Sequence, residues 1–337
     1  MKVWIRLDHY KADPGQTLVL AIGNFDGVHT GHHEILKKVV TRGAKYGRTP
    51  AVLTFAEHPQ RVLHHSPEPT LLTSPQHRLL LFQDLGIELC FLLPFTVEFS
   101  KTDAETFVRK WLVAKLGVKE VHLGYNAHFG FDRKGDAGLM RRLAKEQGFE
   151  FYESEPVKAA SEFVSSSLIR QRIREGDLSK AGRLLGRPFS IFASVIRGKG
   201  RGKDLGYPTA NLQPHSEILP PHGVYPVGMR ESAFHLKPEE SKDKFEFIKE
   251  KQGEWHQGIL NYGTRPTFGL NGAVVPEVFL LDYSGDLYGK TVEVLFHPKL
   301  RDEKRFENSR ELASAIEEDV KRATQYFKNV GQTGLYK

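Results

Sequence analysis

The first half of the chain alternates short, almost continuous apolar runs with helical patterns, and this alternation restricts the fold more than any other feature of the sequence. The clearest run, residues 18–22, precedes a glycine-rich turn and a segment whose apolar residues recur at helical spacing. Apolar strands separated by helices indicate a parallel sheet that is covered on both faces. We therefore predict a Rossmann-like, doubly wound α/β domain. Its other buried strands are predicted at residues 51–55, 89–93 and 121–123, and one of its helices at 104–116.

The pattern changes near residue 187. Beyond it, glycines and prolines separate short runs of β-forming residues, which is typical of an antiparallel Greek-key barrel. Apolar residues at helical spacing predict a closing helix at 309–327. A chain of 337 residues also suits two domains better than one. We predict domains at 1–186 and 187–337, with helices at 167–175 and 178–185 before the boundary and strands at 191–196, 223–227, 258–262, 278–283 and 291–296 after it.

The net charge of +7 suits polyanionic ligands. The positions of the basic residues indicate which class of anionic ligand is favoured. Basic residues recur in short groups beside glycines, as in Arg197–Lys203, instead of forming one long tract. This arrangement favours small phosphate ligands over nucleic acid. A charged stretch between two predicted strands, Lys237–Lys251, is expected to form a helical excursion or a surface loop without chemistry of its own.

The sequence also predicts a cytoplasmic protein without a membrane partner. It contains no run of about 18 apolar residues. The first six residues lack the apolar core and the small-residue cleavage site of a secretory signal. The single cysteine, Cys90, lies in an apolar run, so an internal disulfide is impossible and a buried, inert thiol is expected.

The stretch that follows the first apolar strand, Gly23–His32, reads G-N-F-D-G-V-H-T-G-H. Glycines at a strand end let the backbone approach a phosphate, and the next helix presents free N–H groups and its positive dipole end. His29 and His32 could both donate hydrogen bonds to one α-phosphate during in-line attack. Alternatively, one histidine caps the helix and the other is solvated. Zinc is a weaker alternative, because no cysteine or clustered histidine and glutamate set completes a tetrahedral site.

A second glycine-rich stretch, Gly198–Lys203, is followed by Leu-Gly-Tyr-Pro-Thr-Ala-Asn-Leu at 205–212. The spacing does not match a P-loop. A basic glycine loop can still wrap phosphates with its backbone N–H groups. Thr209 and Asn211 then offer the oxygen ligands that Mg²⁺ accepts beside phosphates and water. The alternative is a solvated loop followed by a turn.

The first stretch resembles the HxGH signature of the nucleotidyltransferase superfamily, and its full form resembles the bacterial bifunctional riboflavin kinase and FAD synthetase family. The resemblance covers residues 15–330, and the motifs occur in the family's order. Further matching segments of the first half are Thr54–Pro59, Gly124–Gly130, Arg133–Asp136 and Ser165–Arg170. Those of the second half are Gly198–Leu212, Pro221–Tyr225, Asn261–Phe268, Glu277, Leu287–Lys290 and Leu300–Arg301.

The resemblance implies that the first domain adenylylates FMN to FAD with ATP and releases pyrophosphate, and that the second phosphorylates riboflavin to FMN. His29 and His32 would contact the ATP phosphates, and Glu277 would accept the proton of the riboflavin 5′-hydroxyl. Without the resemblance, Glu277 at the start of a strand would be a surface salt-bridge residue. The nucleotide-binding residues implied are Gly23, Asn24, Phe25, Asp26, Ser166, Ser167, Arg170, Gly198, Lys199, Gly200, Lys203, Thr209 and Asn211; the flavin-binding residues are Asn126 and Arg301; the Mg²⁺ ligands are Thr209 and Asn211.

The sequence departs from the family pattern beside the implied flavin site. Ala127 stands where an aromatic residue is usual, which predicts looser flavin packing, and His128 stands where arginine is common. Ser167 replaces a threonine and keeps the hydroxyl. Two competing functions are a single-activity nucleotidyltransferase with a non-catalytic barrel and a nucleic-acid-binding protein. The first leaves Thr209, Asn211 and Glu277 without a role, and the second leaves the histidine pair unexplained.

Overall fold

A computed structural model describes residues 1–159, 161–198, 206–215, 218–239, 241–263 and 275–331. The chain forms two compact units. The first unit combines Met1–Ser165 with Phe234–Lys249, and the second combines Ser166–Ala233 with Glu250–Lys337.

The described part of the first unit is built on an eight-stranded sheet. Its first six strands are numbered β1 to β6 along the chain, with the bounds given below, and the other two are β12 Phe234–Pro238 and β13 Lys244–Lys249. The order in the sheet is β12-β13-β1-β4-β3-β2-β5-β6. All neighbours from β1 to β6 are parallel. The strands β2, β3 and β4 are almost fully buried, as expected in a parallel sheet, and this agrees with the predicted α/β domain. The strands are β1 Lys2–Trp4, β2 Leu18–Ile22, β3 Thr49–Phe55, β4 Leu89–Leu93, β5 Val118–Leu123 and β6 Glu150–Glu153, with a separate small pair, β7 Lys158–Ala159 and β8 Glu162–Phe163.

The helices of the first unit begin at residues whose side chains accept a hydrogen bond from the first turn. The first one starts after His29, whose ring accepts a hydrogen bond from an amide of the first turn, and ends at Gly47 in the left-handed conformation. The fifth continues directly into a wider, π-helical stretch, Phe107–Lys115. The helices are α1 Thr30–Tyr46, α2 Pro59–Leu63, α3 Pro75–Asp84, α4 Val97–Ser100, α5 Ala104–Thr106 and α6 Ala137–Gln147.

The charged stretch near residue 240 corrects the sequence analysis. It was expected as a helical excursion or a surface loop, and this expectation is wrong, because two strands occupy most of it: β12 Phe234–Pro238 and β13 Lys244–Lys249. The two strands pair with each other, and β13 pairs antiparallel with β1, with Phe245 opposite Val3. Phe247 is only 1% exposed. Apolar residues in β13 alternate with charged ones, and burial of one face outweighs the charge of the segment.

The described part of the second unit is a closed antiparallel barrel of order β10-β15-β14-β11-β16-β9, as the sequence predicts. The closing helix, α9 (Ser309–Val330), packs Ala323 and Phe327 against Val224 and Ile259 of the barrel. The strands are β9 Ser190–Ile196, β10 Thr209–Pro214, β11 Gly223–Glu231, β14 His256–Tyr262, β15 Glu277–Leu280 and β16 Thr291–Phe296; the helices are α7 Ser166–Arg174, α8 Leu178–Leu185 and α9 Ser309–Val330.

Candidate active sites

The motif loops of the first unit follow the carboxyl ends of β2 and β5. These two strands are parallel neighbours, and Ile22 lies opposite Leu123 at their ends. The chain runs from β2 to β3 and β4 on one side, whereas β5 and β6 lie on the other. Ligands of open α/β sheets bind in the crevice at such a switch in strand order. The structure therefore brings together the two loops that follow these strands, residues 23–29 and 124–130.

His29 and His32 lie side by side where α1 begins. Their rings stack with centroids 3.6 Å apart and an angle of 15° between the planes. The Nδ1 atom of His29 accepts a hydrogen bond from the backbone N–H of His32 at 3.3 Å. An accepting Nδ1 places the proton of the neutral ring on Nε2, which makes Nε2 a donor. A Cβ atom added to Gly31 would lie 3.2 Å from the His29 ring, so the intervening glycine lets that ring sit close to the helix.

Asp26 organises the loop from inside. It is buried, and its carboxylate accepts hydrogen bonds from the backbone N–H groups of Leu72 at 2.9 Å and Thr73 at 3.2 Å. The backbone N–H of Gly27 donates in turn to Thr73 Oγ1 at 2.9 Å. Phe25 packs edge-on against His32 with centroids 5.1 Å apart. In these contacts Asp26 and Phe25 shape the loop, and the residues at 72–73 are partners that the sequence analysis did not identify.

The loop at 124–130 is held more loosely at its tip. Asn126 is exposed and has a left-handed backbone, with φ of 55°. Ala127 packs against the core of the unit, and its N–H donates to the carbonyl of Gly124 at 3.1 Å. The Nδ1 atom of His128 lies 3.2 Å from the carbonyl oxygen of Arg133. The loop thus presents Asn126 to solvent at the same sheet edge as the histidine pair.

The S-S-S-L-I-R element begins at the last residue of the first segment, Ser165, and its remaining residues lie in the second unit, at the start of α7. Ser166 and Ser167 occupy its first two positions, and Arg170 follows one turn later and is buried. Hydroxyl groups in a first helical turn beside a guanidinium suit a phosphate.

The candidate residues of the barrel lie on adjacent strands. Asn211 of β10 lies opposite Glu277 of β15, and Glu277 lies opposite Asn261 of β14. Directly opposed residues of antiparallel strands share one face, and so do residues two apart in one strand. Thr209 therefore joins this face, and its hydroxyl donates to Glu277 Oε2 at 3.5 Å. The sequence analysis did not single out Asn261 as a site residue, because only strand pairing places it beside Glu277.

Only part of the glycine-rich loop of the barrel belongs to the described residues. A Cβ atom added to Gly198 would lie 2.5 Å from Cγ of Asn211, so glycine allows the loop to cover that buried amide. The predicted phosphate-binding residues Lys199, Gly200 and Lys203 lie outside the described residues.

Arg301, the implied flavin residue of the second unit, forms a two-pronged ion pair with Asp319 of α9. Its Nε donates to Oδ1 at 2.8 Å and its Nη2 donates to Oδ2 at 2.6 Å. Both side chains are largely buried. The guanidinium is thus fixed at the start of the segment that leads into the closing helix.

Known proteins match the chain along almost its whole length. Residues 11–168 match the FAD synthetase family, and residues 185–327 match the riboflavin kinase family. The bifunctional riboflavin kinase/FMN adenylyltransferase of Haemophilus influenzae is 31% identical over 93% of this chain and 96% of its own length. That of Pseudomonas fluorescens is 34% identical over 90% of both chains. The chain belongs to this bifunctional family. Its two matched segments correspond to the two activities in the family name.

A solved structure is similar as well. The crystal structure described as a macrolide-efflux protein from Streptococcus pneumoniae shares 26% sequence identity, with a TM-score of 0.78, and covers 96% of this chain and 98% of its own. Within the described ranges of the present chain, every helix is too short or too polar to span a bilayer. The likeness to that structure supports the fold described here over almost the whole chain.

Two further predictions concern thiols and metals. Cys90 is a fully buried free thiol in β4, as expected, and burial raises its pKa to about 12. In the part of the chain that the structure describes, no three His, Cys, Asp or Glu side chains gather closely enough to hold a metal ion.

Proposed function

We propose that the loop of the first unit transfers AMP from ATP to FMN through His29 and His32. The observation that carries this proposal is the cap of α1, where Nδ1 of His29 accepts a hydrogen bond from the backbone N–H of His32. The Nε2 atom of His29 is therefore a donor, and its ring stacks on that of His32. The helix N-terminus adds backbone N–H groups and a positive dipole end. All these groups favour negative charge at the entrance of α1.

The reaction is an in-line substitution at phosphorus. A phosphate oxygen of FMN bonds to the α-phosphorus of ATP, and the bond from that phosphorus to the bridging oxygen breaks, so pyrophosphate leaves. Donors from the two imidazoles stabilise the charge that develops on the α-phosphate oxygens without any covalent enzyme intermediate. Asn24, Phe25 and Asp26 shape the loop, and Ser166, Ser167 and Arg170 hold the β- and γ-phosphates. Asn126 contacts the flavin, where Ala127 supplies no ring.

For the barrel we propose that Glu277 accepts the proton of the riboflavin 5′-hydroxyl as that oxygen attacks the γ-phosphorus of ATP. Its position opposite Asn211 and 3.5 Å from the Thr209 hydroxyl supports this role. Thr209 and Asn211 would hold Mg²⁺ with phosphate and water oxygens, a ligand set that the ion accepts. Bound there, Mg²⁺ would neutralise phosphate charge. Gly198, Lys199, Gly200 and Lys203 surround the phosphates, and Arg301 borders the flavin.

The division of labour is also a proposal. We assign FMN adenylylation to residues 1–186 and riboflavin phosphorylation to 187–337, both in the cytoplasm, where ATP is available. The separate family matches at 11–168 and 185–327 support this boundary. The compact units depart from this boundary at two places. The hairpin β12–β13 adds strands to the first sheet, and residues 166–186 belong to the second unit.

Chromatography of the products formed from riboflavin and ATP tests the assignment. We expect His29→Ala and His32→Ala to lower FAD formation by about 100- to 1000-fold, the usual effect of one oxyanion donor, and to leave FMN formation intact. His64→Ala, an exposed histidine of the same unit, is the matched control. Parental FAD output from both motif variants would sink the proposal.

A further inference from the structure

Arg78 is a buried cation directly beneath the nucleotide loop. It lies in α3 and is only 2% exposed. Its Nη1 donates to the backbone carbonyl of Asn24 at 2.9 Å and to Thr54 Oγ1 at 3.2 Å. Its Nη2 donates to the carbonyls of Phe55 at 2.8 Å and Ala56 at 3.0 Å. One guanidinium therefore satisfies four acceptors.

These acceptors lie at the carboxyl ends of two different strands. Asn24 lies in the loop after β2. Thr54 and Phe55 are the last residues of β3, and Ala56 follows them. The two strands are parallel neighbours. The hydroxyl of Thr54 also donates to the Asn24 carbonyl at 3.0 Å. The guanidinium thus joins the carboxyl ends of two strands at the edge where the candidate site lies.

The residues just before α3 hold the same loop at a second point. Asp26 accepts the N–H groups of Leu72 and Thr73, a few residues before Arg78. The loop contains non-glycine residues with positive φ at these attachments, 47° at Phe25 between them and 37° at Val28, two residues after Asp26. Such conformations persist only where surrounding contacts over-determine them.

Burial of the Arg78 guanidinium costs desolvation free energy, which an apolar side chain of similar volume would avoid. The pKa of Arg78 is lowered by burial, and the nearby carboxylate of Asp26 acts in the opposite direction. The guanidinium offers what an apolar side chain lacks, a planar fork of donors with fixed geometry. Here the guanidinium holds its four acceptors in fixed positions relative to one another.

We propose that Arg78 is a positioning residue for FMN adenylylation. It fixes the backbone of the loop at Asn24 against the end of β3, so that His29 and His32 meet the α-phosphate in the correct place. This inference rests on the proposed role of those two histidines. Arg78 is buried and donates to protein acceptors, so in this proposal it acts through the loop.

The variant Arg78→Lys separates position from charge. Lysine keeps the cation but offers its donors from a single nitrogen, which cannot span four acceptors at the ends of two strands. We expect kcat for FMN adenylylation to fall about 100-fold, as a small misplacement of reacting groups does, with a smaller change in KM for ATP. Riboflavin phosphorylation by the same polypeptide is an internal control and should stay at the parental rate. Arg142→Lys, at an exposed ion pair of the same unit, is the matched control.

Thr54→Val is the milder companion variant, because it removes one link between Asn24 and the guanidinium and preserves shape. Its kcat for adenylylation should fall about tenfold, which lies between the parental value and the larger loss expected for Arg78→Lys. Parental kcat in Arg78→Lys overturns the inference. If Arg78→Lys does not fold, as judged by circular dichroism, parental kcat in Thr54→Val overturns it instead. With His29→Ala inactive, either result leaves the proposed function standing, whereas an active His29→Ala overturns that function itself.

Discussion

The first unit carries its candidate catalytic side chains on a loop between a strand and a helix, whereas the second carries them on the strands of a barrel. In the first unit, Asp26 and Arg78 brace the loop with buried hydrogen bonds. In the second, the ladder that pairs Asn211 with Glu277 already fixes the positions of both residues. The comparison teaches that a loop site needs dedicated buried polar partners, while a strand site takes its geometry from backbone pairing.

Removing the carboxylate of the barrel site should produce the largest effect. Glu277→Gln keeps the size of the side chain and the strand pairing but removes the base. We expect riboflavin phosphorylation to fall by about 10²- to 10⁴-fold, the usual contribution of a general base. Conversion of added FMN to FAD should continue, and chromatography of both products measures the difference.

Glu317→Gln, on an exposed face of α9, is the matched control for this experiment. It removes a carboxylate from the same unit at a surface pair with Lys321. If FMN accumulated at the parental rate in Glu277→Gln, that carboxylate would be a structural residue, and the strand site would need another base.

The hairpin offers a way to weaken one unit alone. Phe247→Ala truncates a buried side chain of β13, which costs about 3–5 kcal/mol in typical cores. The first unit should therefore unfold at a lower temperature while the barrel is unaffected. After brief heating, FAD formation from FMN should be lost at temperatures where FMN formation from riboflavin persists.

Leu236→Ala is the control for the hairpin, because Leu236 lies opposite Phe247 in the pairing register but is 38% exposed. Its truncation removes less buried apolar surface and should cost much less. Equal thermal loss of the two activities in Phe247→Ala would contradict the separate stability of the two units.

Acid should distinguish the units through their buried histidines. In the second unit, burial lowers the pKa of His297 to about 4. Its Nδ1 lies 3.2 Å from the Tyr326 hydroxyl, and among the described residues its Nε2 has no hydrogen-bond partner. In the first unit, burial also lowers the pKa of His122, but the carboxylate of Glu120 opposes the change.

A histidine that is buried in its neutral form contributes stability in full above its unfolded pKa, near 6.5. This contribution is lost as the pH falls toward 4, because the unfolded chain then binds a proton that the folded chain does not. We expect the second unit to lose roughly 3 kcal/mol over that interval. In His297→Gln the free energy of unfolding should depend less on pH.

Denaturant unfolding followed by the fluorescence of Trp255 measures this, in a chain whose other two tryptophans, Trp4 and Trp111, are replaced by phenylalanine. His64→Gln, at an exposed position of the first unit, should not change how the free energy of unfolding depends on pH. Identical pH dependence in the parental chain and His297→Gln would rule out this histidine as the source of acid sensitivity.

Local patterns predicted the elements of each site, because adjacent residues encode them. The apolar run before Gly23 and the helical spacing after it predicted the strand-loop-helix unit of the first site. The short β-forming runs predicted five of the barrel strands. Thr209–Pro214 was absent from that prediction, since its Pro-Thr-Ala-Asn sequence also reads as a turn.

The remainder depends on long-range contacts. Arg78 meets Asn24 across 54 positions and appears in sequence only as a charge before an apolar run. Pairing of β13 with β1 joins Phe245 to Val3, and nothing local to a lysine- and glutamate-rich stretch indicates that partner. Residues whose partners are distant in sequence were the ones that sequence reasoning missed.

The hairpin also sets an order of events during synthesis. The last strand of the first sheet ends at Lys249, 84 residues after the first segment of that unit ends at Ser165. A ribosome that adds about 5–20 residues per second needs roughly 4–17 s to cover this distance. During that time β1 remains an open sheet edge on the nascent chain, a place where foreign strands can add. Completion of the transferase unit therefore waits until much of the kinase barrel has been translated.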